Sequence, residues 1–325
     1  MRKSSLLQYF PVSKHFTELS NAIENPKCKI NITGCIGSSK SVLAASIVKN
    51  QKHPQLFILN NKEEANYFIN DLEILMNNEV FFYPASYRRA YQIEETDNSN
   101  ILLRAEVLNK LNNKRNSIIV SYPDAIFEKV VSRRVLKQKT ITLQVSDIHH
   151  PDLIEETLSE NGFTKVDFVT DPGHFSVRGG IVDVFSYADE NPFRIEFFDD
   201  EIESIRSFNI NTQLSIENKN KVSIIPNTEA KKIESKQVSI LEYLPKNSVI
   251  WINDSQLTLG TLEQNFEKAE IEFQKLKDNP IAQLFPENIF TNGNEFGSEL
   301  EEFKVVEFGN NTIFSRDTII KVNNS

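Results

Sequence analysis

Between Ile30 and Pro123 the chain alternates short apolar runs with longer amphipathic ones, and this rhythm leaves few architectures open. The apolar runs are Ile30–Thr33, Gln55–Asn60 (QLFILN), Glu79–Pro84 (EVFFYP) and Asn116–Pro123 (NSIIVSYP). Between them lie Val42–Val48, Lys62–Met76 and Asn100–Leu111, and in the second of these Ala65, Phe68, Leu72 and Leu75 recur at helical spacing. Strands separated by helices cannot pair as tight hairpins; each return needs a crossover, which makes the sheet parallel. The runs also lack polar alternation, as strands covered on both faces do. The expectation is an α/β layer over residues 1–125.

The first strand leads into Gly34-Cys35-Ile36-Gly37-Ser38-Ser39-Lys40-Ser41. A phosphate-binding loop reads G-x-x-x-x-G-K-[ST], and Gly34, Lys40 and Ser41 fall at that spacing, with Gly37 inside the loop. Ser39 stands where the pattern wants glycine, and so puts a Cβ where the chain must pass close to phosphate. Lys40 could still neutralise phosphate and Ser41 could still meet Mg²⁺. Hydrolysis also requires an acidic pair on a neighbouring strand. The end of VIWINDSQ offers Asn253-Asp254 there, and an asparagine cannot hold the metal as a carboxylate does. Two defects in two motifs describe a degenerate phosphate loop. No catalytic residue, cofactor or metal is expected, and the chain by itself is not expected to be an enzyme. Weak binding of a nucleotide or anion stays open.

Past Ile126 the character changes. Arg133, Arg134, Lys137 and Lys139 form a basic strip, readable as a solvated edge or as support for an acidic partner. LIEETLSENGFTKV reads as a helix ending at Asn161-Gly162. Strand-like segments follow, separated by turn residues at Gly179-Gly180, Asn191-Pro192 and Asp199-Asp200. The expectation is an inserted α+β module with an antiparallel sheet over 126–225, and a return to the α/β layer over 226–325. In PFRIEFF, alternation places Phe193, Ile195 and Phe197 on a core face and Arg194, Glu196 and Phe198 on the other.

Composition narrows the class. No run of about 18 apolar residues exists, so no membrane span is expected, and MRKSSLLQYFP lacks the apolar stretch of a signal peptide. Cys28 and Cys35 suggest free thiols in a reducing compartment, and the cytoplasm is the expected location. His149-His150 has no partner at metal-ligand spacing. A net charge of −9 argues against a nucleic-acid-coating protein. Tyr87, Arg88, Arg89 and Tyr91 read either as a stacking site for single strands or as a solvated loop.

The segment Asp171–Ser215, DPGHFSVRGGIVDVFSYADENPFRIEFFDDEIESIRSFNINTQLS, resembles the segment shared by UvrB and the transcription-repair coupling factors. It keeps Gly173, Arg178-Gly179-Gly180, Asp183, Phe185, Arg194 and Phe197-Phe198 of that motif, with Ser186 where the family usually has proline. FYPASYRRAYQIEE is similar to the short equivalent in the coupling factor of UvrB's long DNA-clamping hairpin. The resemblance runs over about residues 20–265 and implies a degenerate helicase-like α/β layer with an inserted UvrA-interaction domain. It implies that Arg178, Arg194 and Phe198 contact UvrA, the damage-recognition subunit, and that the chain recruits excision repair to RNA polymerase stalled at a lesion. RNA polymerase, double-stranded DNA, ATP and Mg would be engaged by the rest of the full-length family member, whose motor releases polymerase. Two other readings stay open: a UvrB-like ATP-dependent subunit that binds damaged DNA, and a clamp on that motor. Salt bridges from Arg178 and Arg194 to Asp183, Glu196 or Asp200 on a solvated face would equally explain those arginines.

Overall fold

Seven parallel strands form the first sheet, in the order Thr318–Lys321, Lys29–Thr33, Lys304–Phe308, Val249–Ile252, Gln55–Ile58, Ile118–Ser121, Phe81–Phe82. Every neighbouring pair in it is parallel. The structure, a computed structural model, describes residues 14–49, 51–86, 98–113, 116–227, 237–276, 285–309, 314 and 318–322. The chain divides into two units: residues 1–96, 110–129 and 237–325, and residues 97–109 and 130–236.

In the first unit the central strands are buried along their whole length, as their unbroken apolar runs require. Trp251 stacks between Phe57 and Phe308 at 5.3 and 5.8 Å, and its indole N–H donates to Gln55 Oε1 at 2.8 Å. The helix Lys62–Met76 starts at Asn61, whose side chain accepts from the Glu64 N–H, and ends at Asn77 in the left-handed region. Its core face is Ala65, Phe68, Leu72 and Met76. Met76 thus takes the inward place expected of Leu75, which is half-buried. Lys304–Phe308 and Thr318–Lys321 complete the sheet.

The second unit holds a separate six-stranded sheet, ordered Ser215–Asn218, Glu201–Phe208, Phe193–Phe198, Ile181–Val184, His174–Arg178, Thr164–Lys165. It is antiparallel except at the Thr164–Lys165 edge. One face packs on the helix Pro151–Glu160 through Ile154 and Leu158, with Phe175, Val182, Val184, Phe193, Ile195 and Phe197 in the same cluster. Ile141–Gln144 and Lys221–Ile224 add a two-stranded ladder. The basic strip is a helix, Arg133–Lys139, capped by Ser132. Tyr87, Arg88, Arg89 and Tyr91 lie outside the described residues.

Candidate partner-binding face and the closed loop

The loop after the first strand leads into the helix Ser39–Val48, the strand–loop–helix order expected from its sequence. Ser39 does more than crowd the loop. Its hydroxyl accepts the Ile36 N–H and donates back to the Ile36 carbonyl, both at 2.8 Å, so it folds the loop onto itself. Lys40 Nζ donates to Asn253 Oδ1 at 2.5 Å, and Asn253 Nδ2 donates in turn to Glu64 Oε2 at 3.3 Å. The sheet therefore brings together the two motifs that the sequence singled out, and they bond to each other. Ser41 Oγ is held by Asp71 at 2.7 Å, and Asp254 caps the helix Ser255–Lys275 through the Leu257 N–H. Burial pushes the Cys35 thiol up, against the opposing pull of the Ser39 hydrogen bond and the Lys40 charge.

Gly34 has φ +89, and a Cβ there would fall 2.1 Å from the Val322 carbonyl oxygen. Val322 follows the neighbouring parallel strand, and its N–H donates to the Thr33 carbonyl. Packing of strand ends, with no ligand involved, already requires glycine at this position. Gly37 also has a positive φ, +56, with open space around it.

On the second sheet the alternation in PFRIEFF holds: Phe193, Ile195 and Phe197 are buried, and Arg194, Glu196 and Phe198 face outward. Asp183 sits directly opposite Arg194 in the register and is buried. Its Oδ1 accepts Arg194 Nε at 2.7 Å, and its Oδ2 accepts Arg194 Nη2 at 2.8 Å and Arg178 Nη2 at 2.5 Å. One carboxylate thus orients two guanidiniums. Arg194 also donates to Gln213 Oε1 and lies 4.6 Å from the Phe208 ring centroid. The hydrogen bonds to Asp183 come first among the causes that raise the Arg194 pKa. Arg178 is held by the Asp167 carbonyl and stands 5.5 Å from the Phe168 ring centroid. Glu196 pairs with Arg206 and accepts from Ser204. Phe198 is 71% exposed.

The turn that presents Arg178 depends on two glycines. Gly179 has φ +58, and a Cβ on Gly180 would meet the Phe197 carbonyl oxygen at 2.8 Å. The motif's Gly-Gly therefore serves a tight reversal. Phe168, whose ring lies against Arg178, is one residue that sequence reasoning missed. It lies in an irregular stretch before its strand, where no periodicity marks which way a side chain points.

Among the described residues no group of His, Cys, Asp and Glu could hold a metal, and no helix is long and apolar enough to cross a membrane. Residues 141–229 match the family model described as the UvrB interaction domain. The transcription-repair-coupling factor of Bacillus subtilis is 32% identical over 218 residues, 67% of this chain and 18% of that protein. That of Staphylococcus haemolyticus is 29% identical over 218 residues, 66% of this chain and 18% of its own length. That of Rickettsia bellii is 31% identical over 186 residues, 57% and 16% respectively. The chain spans about a fifth of the length of these curated relatives. Residues 141–229 are therefore similar to a UvrB interaction domain, in a chain similar over about two thirds of its length to transcription-repair-coupling factors.

Proposed function

We propose that this chain is the recruitment module of a transcription-coupled repair protein, binding UvrA through the outward face of its antiparallel sheet. Arg178, Arg194 and Phe198 make the contact. The observation that carries the reading is Phe198, a large aromatic left 71% exposed on the same sheet face as two guanidiniums oriented by one buried Asp183. Exposed aromatics and arginines are the residue types that dominate binding energy at interfaces. The α/β stretches 1–125 and 226–325 act as the degenerate helicase-like layer that carries the inserted domain. In the longer protein, RNA polymerase and double-stranded DNA are engaged elsewhere, and polymerase release draws on ATP hydrolysis there.

The loop at Gly34–Ser41 takes no part in hydrolysis on this reading. Lys40 is already bonded to Asn253, an amide where a metal-holding carboxylate is wanted, and the neighbouring Asp254 is engaged as a helix cap. A UvrB-like ATP-dependent subunit would need both defects repaired.

Titration calorimetry of the chain with purified UvrA tests the reading, wild type against the double variant Arg178→Ala/Phe198→Ala, with ATP turnover assayed on the same samples. The expected result is binding at about micromolar Kd or tighter, a rise in Kd of a hundredfold or so in the double variant, and no turnover. Equal binding by both proteins would sink the assignment of the face. Turnover abolished by Lys40→Ala would reinstate the loop as a working site.

A further inference from the structure

The face is wider than the three residues that the sequence picks out. Glu201 pairs with Phe198 across the hairpin, and on its other side it makes an antiparallel bridge with Ile148. Residues directly paired across a sheet point to the same side. Ile148, Glu201 and Phe198 therefore form one outward row, in which Ile148 is 79% and Phe198 71% exposed. Arg178 lies on this face too, and the Phe168 ring beside its guanidinium is 66% exposed. Three large apolar side chains thus stand in water on one side of a sheet whose other side is fully packed. Isolated exposed hydrophobics need no explanation, but a group on one face with a polar surround marks a surface that is covered by a partner.

The charges give that partner a direction. At the Arg178 end, one carboxylate serves two guanidiniums and leaves an excess positive charge. Glu196 is already matched by Arg206 and does not offset it. At the other end, Glu201 lies exposed between Phe198 and Ile148, next to the Asp199-Asp200 turn. The face is thus positive at one end, negative at the other, and apolar between. Such a pattern fixes the register of docking as well as its rate.

We propose that Ile148 and Phe168 are contact residues of the same surface as Phe198. The partner patch they meet is apolar, with a carboxylate set against Arg178 and a lysine or arginine set against Glu201. This rests on the UvrA reading above and adds to it which residues, and which partner chemistry, complete the interface. Ile148 comes from a different chain segment than Phe198, so the contact needs the hairpin and the stretch before the helix Pro151–Glu160 held together. The His149 N–H to Asp200 carbonyl bond, 2.8 Å, holds them.

The test is calorimetry of the whole chain with purified UvrA, using wild type, Ile148→Ala, Phe168→Ala, Glu201→Lys and a control, Tyr67→Ala, exposed on the other unit. Each of the first two alanine variants is expected to raise Kd about tenfold and Glu201→Lys by at least as much, with Tyr67→Ala neutral. Their unfolding midpoints should match wild type, because the truncated side chains are exposed. Ile148 and Phe168 lie on separate segments, so one variant suffices if the other melts early. If both bind as wild type does while Arg178→Ala/Phe198→Ala does not, the wider surface is wrong and the UvrA reading survives. If wild type itself fails to bind, both fall. Binding unchanged in Glu201→Lys would overturn the opposed-charge part alone.

Discussion

At the scale of single residues, Arg178 and Arg194 share a carboxylate and still differ in what their loss would do. The Arg194 side chain is 17% exposed and makes the bidentate bond; that of Arg178 is 41% exposed and makes one bond to Asp183. Arg194→Ala leaves Asp183 buried with one partner and should cost about 2–4 kcal/mol of stability, against ~1 kcal/mol or less for Arg178→Ala. Asp183→Ala, which strands two guanidiniums, should cost about 3–5 kcal/mol. Urea unfolding of the three variants orders them. A loss for Arg178→Ala as large as for Asp183→Ala would mean that Arg178 is a structural residue and a poor probe of binding. Glu299 behaves differently. Burial, helped by the Glu295 and Glu242 charges, raises its pKa above the ordinary 4.5, although Ser239 and Lys129 oppose this, and its Oε2 is buried without a hydrogen bond. The folded state then holds this proton more tightly than the unfolded chain. The group is most favourable to folding below the ordinary value, and that advantage is lost as pH rises through the raised folded value. Glu299→Gln should therefore raise the melting temperature at pH 7 and change it little at pH 4. A lower midpoint at pH 7 would contradict this.

At the scale of elements, the loop Gly34–Ser41 is a joint between strand ends. Gly34 is fixed by the Val322 carbonyl, Ser39 by Ile36, and Lys40 by Asn253 at the end of the strand Val249–Ile252. Gly34→Ala should cost about 2–4 kcal/mol, from the positive φ plus the overlap. Gly37→Ala meets nothing and should cost only ~1–2 kcal/mol for its left-handed backbone. Chemical denaturation that found the two equal would show that the strand end yields. Much of this was open to sequence reasoning: the strand–loop–helix order, the missing glycine at Ser39 and the missing carboxylate at Asn253 could all be read from residue types and spacing. That Lys40 and Asn253 meet could not be read, because the two lie far apart in the chain and only the strand order brings them together. The outward set of Arg194, Glu196 and Phe198 was equally legible, since a strand alternates strictly. Phe168 and Ile148 were not, because no period governs an irregular segment.

At the scale of the whole molecule, each unit has its own sheet, and the second has its own buried cluster around Phe175, Val182 and Ile195. Calorimetry should resolve two unfolding transitions. Asp183→Ala should lower one and Glu299→Gln should raise the other, each leaving its counterpart unmoved. A single transition shifted by both variants would mean that the units unfold as one. What the sequence by itself determined is local: which runs are strands, which faces are apolar, where Ser39 departs from the spacing pattern of a phosphate loop, and which segment carries the Arg-Gly-Gly signature. These follow from backbone period and side-chain chemistry within a few residues. Only the tertiary structure decided that Asp183 serves both arginines, that Lys40 is closed off by Asn253, that Ile148 pairs with Glu201 opposite Phe198, and that Phe168 lies against Arg178. Those facts depend on register and strand order, which arise when distant segments bury their apolar faces together.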